Sequence, residues 1–322
     1  MTAIPALVIV GPTASGKSAL ALALAAALDG EIVSADSRQV YRHLDVGTAK
    51  PTAAERARVP HHLLDVVDPD EPFDAARFRT LALAAVADVH RRGRLPIVCG
   101  GTGLYVRVLL HGLLRGPAAA PALRRELAAL EAREGPGALH RRLVREDPDT
   151  ASRLHPRDVF RIVRALEVAR LTGRPLSAWQ REHAFGERQL AACMVGCARP
   201  PRELEARIER RCRDMIGAGL LEEIRSLHAR GYGPELPPLQ SVGYREMSAY
   251  LRGETTFAAA EEAFARATRR LAKRQRTWFR AQAEIRWLHP DDERDAVARH
   301  VRAWREDAWH GPTSSSSGRS RS

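Results

Sequence analysis

The sequence predicts an α/β fold in which a parallel sheet is flanked by helices and interrupted by an inserted all-helical domain. Three observations predict it. The apolar run Leu7-Val8-Ile9-Val10 leads into Gly11-Pro12-Thr13-Ala14-Ser15-Gly16-Lys17-Ser18, and an Ala/Leu-rich segment from Ala19 to Leu28 follows. That is the strand, loop and helix required by G-x-x-x-x-G-K-S, a phosphate-binding loop. Further short apolar runs, Glu31 to Ala35 and Leu95 to Cys99, alternate with helical patterns, as βαβ units do. Between Pro117 and about Arg199 the texture changes to amphipathic helices rich in Arg, Glu and Ala, uninterrupted by a strand until Ala191 to Gly196.

The 322 residues suffice for one large domain with an insertion, and 44% hydrophobic content supports a full core. No apolar run approaches membrane-spanning length and Met1 to Gly11 lacks signal-peptide character, so a cytoplasmic enzyme is expected. Cys99, Cys193, Cys197 and Cys212 lack C-x-x-C spacing and are expected to be reduced structural residues, with no cysteine metal site. A net charge of +12 points to a polyanionic partner. Basic residues are nearly all Arg, with lysine only at Lys17, Lys50 and Lys273, yet Arg in place of Lys leaves that excess unchanged.

In chain order, the phosphate loop comes first. Its glycines let successive N–H groups and the positive end of the following helix converge on an anion, with Lys17 adding a charge and Ser18 a hydroxyl suited to Mg²⁺. The motif indicates phosphate or diphosphate, ATP and other nucleotides included, without saying which. The second strand ends at Asp36, which faces the same crevice when ligands lie beyond the carboxyl ends of parallel strands. A helix N-cap is the competing role for Asp36, before a short helix at Ser37 to Tyr41. Asp45 to Pro51 reads as a loop, Ala53 to Arg58 as a short helix, and His61 to Pro69 as a strand ending in a turn. Adjacent His61 and His62 point to opposite faces of a strand, which argues against one metal ion bound by both. Asp74 to Arg92 is helical with Phe78, Leu81 and Ala85 on one side.

The strand from Leu95 to Cys99 runs into Gly100-Gly101-Thr102-Gly103, where ATP-hydrolysing loops usually carry an acidic residue that helps hold Mg²⁺. A second set of backbone N–H groups and a hydroxyl stand there instead. Ala122 to Arg133, Gly137 to Glu146, and His155 to Leu171 form the helical insertion, with Arg157, Arg161, Arg164 and Arg170 giving a basic face that suits either an RNA backbone or plain solvation. A long helix to Met215 places Arg207 and Arg211 on one face, suited to phosphate oxygens. Another helix runs to Arg230, and Leu239 to Met247 reads as a loop. Phe257 to Ala281 is a basic helix ending near Trp278 and Phe279, and Ile285 to Leu288 an edge or closing strand. The expected domains are 1–116 with 199–310 as a discontinuous core, 117–198 as the insertion and 311–322 as a disordered tail.

Seven blocks together resemble one family. They are Gly11 to Ser18, Asp36-Ser37-Arg38-Gln39-Val40-Tyr41, Gly47 to Pro51, Gly100 to Tyr105, Arg164-Ala165-Leu166-Glu167, Ser241-Val242-Gly243-Tyr244-Arg245, and Lys273-Arg274-Gln275 with Trp278. In this order they are similar to the bacterial tRNA dimethylallyltransferases, also called tRNA isopentenyltransferases. The resemblance implies a P-loop NTPase-like core and transfer of a dimethylallyl group from dimethylallyl diphosphate to N6 of the adenosine 3′ to a tRNA anticodon. It also implies Mg²⁺ as cofactor, the tRNA anticodon stem-loop as partner, and a monomer with no membrane association.

On this resemblance, Thr13, Lys17, Thr102 and Arg211, with the loop amides of Gly11, Pro12, Thr13, Ala14, Ser15, Gly16, Lys17 and Ser18, stabilise the leaving diphosphate. Ser18 is the metal-binding residue, and Asp36 accepts the N6 proton. The implied RNA contacts are Asp36, Ser37, Arg38, Gln39 and Thr102, then Arg124 and Phe160, Arg161, Ile162, Val163, Arg164. Ser241, Val242, Gly243, Tyr244, Arg245, Glu246, Lys273, Arg274 and Arg280 complete them. A small-molecule kinase with Arg207 and Arg211 as lid arginines is the competing enzyme, and it wants an acid where Gly100 stands. A non-catalytic RNA-binding switch leaves Asp36 without a task.

Overall fold

Short Val/Ile/Leu-rich runs bury both their faces, so they assemble as parallel strands between helices. A computed structural model describes residues 3–114, 116–183, 186 and 188–308. Among these, six strands are β1 (Ile4–Val10), β2 (Gly30–Ser34), β3 (His61–His62), β4 (Leu95–Gly100), β5 (Leu190–Cys197) and β6 (Arg286–Leu288). They form one sheet in the order β3-β2-β4-β1-β5-β6, with every pairing parallel. The strand carrying the phosphate loop, β1, is central. Its register runs from Leu7 opposite Ile97 to Val10 opposite Gly100 on one side, and from Ile4 opposite Leu190 to Val10 opposite Gly196 on the other.

Helices α1 (Lys17–Ala27), α2 (Ala53–Arg58), α3 (Ala75–Arg91) and α4 (Gly103–His111) fill the connections before the insertion. Thr52 and Glu55 form a reciprocal capping box on α2, and Asp74 caps α3 by accepting from Ala76 and Arg77 N–H. The buried stripe of α3 is Phe78, Ala82, Val86 and Val89. Leu81 and Ala85, expected on that stripe, are half-buried at its flank, because the residue four after Phe78 lies closer to its direction than the residue three after.

The described residues of Met1–Leu110 and Arg188–Ser322 form one compact unit and those of His111–Glu187 a second. The second contains α5 (Pro121–Glu134), α6 (Ala138–Glu146), α7 (Pro148–Ala151), α8 (Val159–Thr172) and α9 (Leu176–His183) around a core of Leu127, Leu139, Leu143, Ile162 and Leu166. It ends well before the expected 198, because β5 is hydrogen-bonded along β1 and belongs to the sheet. The tail expected at 311–322 lies outside the described residues.

After β5 come α10 (Pro201–Gly217), α11 (Leu220–Ala229), α12 (Tyr244–Leu251), α13 (Phe257–Arg280) and α14 (Arg294–Ala308). One core cluster joins Leu20 and Leu24 of α1, and Val297 and Val301 of α14, to Leu7, Ile9, Ile97 and Val195 of the sheet. Another joins Leu204, Ile208, Ile224, Met247 and Phe264 of the later helices to Val40, Tyr41, Leu44 and Val67.

Three local expectations are corrected. His61 to Pro69 gives only a two-residue strand, since Leu63 and Asp65 adopt positive φ of 64° and 56°. Ser37 to Val40 is a turn and Tyr41 bridges to Val67, so no helix follows Asp36. The Leu239 to Met247 stretch becomes helical at Tyr244, where the Glu246 carboxylate accepts the Gly243 N–H and caps the first turn. Where β4 ends, a Cβ on Gly100 would lie 2.1 Å from the Ala35 carbonyl oxygen. Only glycine lets these two strand ends approach closely enough for Thr102 N–H to reach Ala35 O at 3.3 Å.

At the opposite end of the sheet, Glu31 is buried among Arg92, Arg94 and His62, with Arg92 Nη2 at 2.8 Å and His62 Nε2 at 2.7 Å. Hydrogen bonding to Arg92 is the main cause that holds its carboxyl down to about 2, against its own desolvation. A folded-state value below the unfolded one stabilises the fold above the unfolded pKa, and that contribution disappears as pH falls through the folded value. Glu31→Gln is therefore expected to be less stable than wild type at neutral pH, with the gap in urea midpoint closing as pH falls from the ordinary glutamate range towards 2. A gap independent of pH overturns this assignment.

Candidate active site

The phosphate loop owes its shape to Gly11 (φ 155°), Ala14 (φ 63°) and Gly16 (φ 98°), after which α1 begins at Lys17. The first-turn N–H groups of α1 have no partner within the helix and point to the crevice above the sheet. Ser15 N–H is turned inward to Pro12 O at 3.3 Å, and Lys17 Nζ donates to the same carbonyl at 3.3 Å. Burial lowers the pKa of Lys17 from the ordinary lysine value, with Arg211 acting in the same direction and Asp36 opposing. Burial likewise lowers that of Arg211, again opposed by Asp36.

Two arginines outside the motif hold this loop, Arg207 from the cavity side and Arg199 from the buried side. Arg207 Nε donates to Ala14 O at 2.9 Å, and Arg199 Nε to Ser15 O at 2.7 Å. The Arg199 guanidinium is 1% exposed, with Asp291 2.6 Å from Nη2 and both Glu203 and His289 against Nη1. Glu203, His289 and Asp291 have metal-ligand spacing among the described residues, but the cation lodged there is Arg199.

Asp36 Oδ1 accepts from Arg38 N–H at 2.8 Å and Gln39 N–H at 3.4 Å, so the capping role is real even though no helix follows. Among the described residues Oδ2 has no hydrogen-bond partner, which leaves it for an acceptor substrate. Thr102 Oγ1 accepts from Ser37 N–H at 3.0 Å, tying the second Gly-rich loop to the turn after Asp36. Thr13, Lys17, Ser18, Asp36, Thr102 and Arg211 thus line one cavity of about 840 Å³. Phe264, Met215 and Leu271 supply apolar wall.

The other expected contacts divide by exposure. Ser37, Arg38, Ser241, Val242, Arg245 and Arg274 line the cavity, and Lys273 and Arg280 are exposed on α13. Gln39 also lines the cavity, with its amide held by protein partners: it donates to Thr48 O at 3.2 Å and Ala49 O at 3.1 Å while accepting from Ser34 Oγ at 3.0 Å. Tyr244 and Glu246 are buried, and Gly243 with them, so these three support the wall from behind. In the helical unit Phe160 is 78% exposed and Arg161 is exposed beside it, but Ile162 is in the core and Val163 packs against it. Arg124 and Arg164 are both spent on the buried Glu167, at 2.8 Å and 2.6 Å.

Glu223 was not foreseen. Its carboxylate accepts from Asp45, Val46 and Gly47 N–H at 2.8, 2.7 and 3.1 Å and from the Tyr244 hydroxyl at 2.5 Å. It thereby pins the loop whose next carbonyls orient Gln39. In sequence Glu223 is one of many helix-surface acids, and only the tertiary fold shows its partners. The four cysteines are free and buried, and burial pushes the Cys99 and Cys193 thiols up to about 11 and Cys197 to about 12.

A family model described as IPP transferase matches residues 39–282. The chain belongs to the IPP transferase family. It is 50% identical over 299 residues to the tRNA dimethylallyltransferase of Syntrophobacter fumaroxidans, covering 93% of this chain and 87% of that one. With the tRNA dimethylallyltransferase of Anaeromyxobacter sp. strain Fw109-5 it shares 54% over 295 residues, 92% and 98% of the two chains. Among solved structures it resembles the tRNA isopentenylpyrophosphate transferase of Bacillus halodurans, with TM-score 0.70, 38% identity and coverage of 95% and 98%. A eukaryotic dimethylallyltransferase captured acting on tRNA gives TM-score 0.76 at 29% identity, over 92% of this chain and 77% of that one. Like these IPP transferases, the chain has a P-loop NTPase-like fold.

In this IPP transferase, Glu223→Gln replaces one acceptor oxygen by an NH₂ group facing backbone donors. It is expected to cost about 2 kcal/mol in chemical denaturation. An unchanged midpoint would show that the 45–50 loop holds itself.

Proposed function

We propose that the chain transfers a dimethylallyl group from dimethylallyl diphosphate to N6 of the adenosine 3′-adjacent to a tRNA anticodon, releasing diphosphate. The observation that carries this reading is the juxtaposition, in one cavity, of a cationic phosphate loop and the strand-end carboxylate Asp36. The neighbouring strand meanwhile ends in Gly100-Gly101-Thr102 and offers no acid for nucleotide hydrolysis.

An adenine amine is a weak nucleophile, so the rate depends on making the diphosphate a good leaving group. As the allylic C–O bond breaks, charge builds on the diphosphate, which the first-turn amides of α1, Lys17 and Arg211 would stabilise. The N6–C bond forms while an N6 proton passes to Asp36 Oδ2 as base. Ser18, exposed on the first turn of α1 at the cavity, suits Mg²⁺, which is commonly held by one or two protein oxygens together with phosphate and water. When bound, the ion would neutralise part of the leaving charge.

Reaching N6 requires the base to leave its stack, at a cost of a few kcal/mol that RNA contacts must offset. Ser37, Arg38, Ser241, Arg245, Lys273, Arg274 and Arg280 supply them in the first unit. Phe160 and Arg161 supply a stacking face and a phosphate contact in the helical unit. The reading takes the chain as a cytoplasmic monomer, and no described helix is long and apolar enough to cross a membrane.

Incubation with Mg²⁺, unmodified tRNA and dimethylallyl diphosphate or ATP, followed by mass spectrometry of the nucleosides, tests the reading directly. Prenylated adenosine should appear with dimethylallyl diphosphate alone; ATP consumption without any nucleoside change would replace it by a kinase. Asp36→Ala and Thr102→Ala should each reduce transfer by about 100-fold or more with tRNA affinity nearly intact. Near-normal turnover of Asp36→Ala removes it as the base. Arg161→Ala should weaken tRNA binding and lower the salt slope of log K by about 1, and an unchanged slope puts it off the RNA path.

A further inference from the structure

Helix α13 is strongly basic, with Lys273, Arg274 and Arg276 in succession around one neutral residue, Gln275. The Gln275 side chain touches both Gly-rich loops. Its Oε1 accepts the Thr13 N–H at 2.8 Å, and its Nε2 donates to Gly101 O at 3.0 Å. A backbone N–H can only donate and a carbonyl can only accept, so the two partners fix the orientation of the amide. Neither Lys nor Arg could replace it, since neither has an acceptor.

Direct strand pairing between β1 and β4 ends at Val10 and Gly100. Beyond it, among the described residues, no backbone hydrogen bond joins residues 12–16 to residues 101–102. Gln275 spans that gap. One loop holds the leaving group, and the other presents Thr102, which is bonded to the turn that orients Asp36. Docking of α13 does not need this amide, because Phe264, Ala267, Ala272 and Phe279 already bury the helix.

We propose that Gln275 is a positioning residue, an amide clip that sets the distance between the diphosphate-binding loop and the Thr102–Asp36 side of the site. This rests on the function proposed above. The clip also occupies the Thr13 N–H, so that amide orders the loop and does not bind diphosphate. Because Lys273 and Arg274 flank the clip on an RNA-binding helix, acceptor and donor geometry meet in one residue.

Gln275→Met keeps the volume and removes both bonds. Gly101→Ala breaks the clip from the other side, since its Cβ would lie 2.4 Å from Gln275 Nε2 while Gly101 has no positive φ to strain. Each variant is expected to lose about tenfold or more in kcat, with KM for tRNA within about twofold and the melting temperature nearly unchanged. Each should also bind inorganic diphosphate with Mg²⁺ about fivefold more weakly by calorimetry. The double variant should be no worse than the poorer single one, because both lose the same clip. Wild-type kcat and diphosphate affinity in Gln275→Met, or losses that multiply in the double variant, overturn the proposal. If the wild-type protein yields no prenylated adenosine yet the diphosphate contrast persists, the proposed function fails and the clip stands.

Discussion

The constraint on which the structure depends is electrostatic: two half-buried cations, Lys17 and Arg211, line one cavity with Asp36 as their nearby carboxylate. Burial and mutual repulsion both oppose their charged forms. A polyanion relieves both penalties at once, so the site is built around charge that its ligand must complete.

Polar groups from later in the chain hold these loops in place. Arg199 and Arg207 take the Ser15 and Ala14 carbonyls from outside the loop, and Glu223 gathers three backbone N–H groups of the 45–50 loop. Each pairs a charged side chain with backbone, and such bonds are stronger than neutral ones. Backbone is an economical target, because it is present whatever the loop's side chains are. The active-site loops are therefore shaped as much by residues far away in sequence as by their own glycines.

The parts legible in sequence were those with local causes. The phosphate loop, the strands β1, β2, β4 and β5, and the long helices follow from hydrophobic period and glycine placement. Asp36 and Thr102 were found because strand ends in parallel sheets face a common crevice. What escaped was tertiary. Helix α14 buries little beyond Val297 and Val301 on an otherwise charged sequence, so its periodicity is faint. Tyr244 and Ile162 sit in motifs expected to contact RNA, yet they face inward, and the motif alone does not say which side of each turn meets solvent. Arg124 and Arg164 read as a basic RNA face until Glu167 is seen between them.

The central strand β1 receives its second neighbour, β5, only after the whole helical unit has been threaded between them. During synthesis the phosphate loop emerges early, but Arg199, Arg207, Arg211 and Gln275 all follow that unit. Pairing across so long a loop carries an entropic cost that grows only slowly with length, so the delay is set by translation and not by closure. A nascent chain that has made the motif has not made the site. Messages broken before the codon for Arg199 therefore yield fragments that carry the motif without the side chains that complete its cavity.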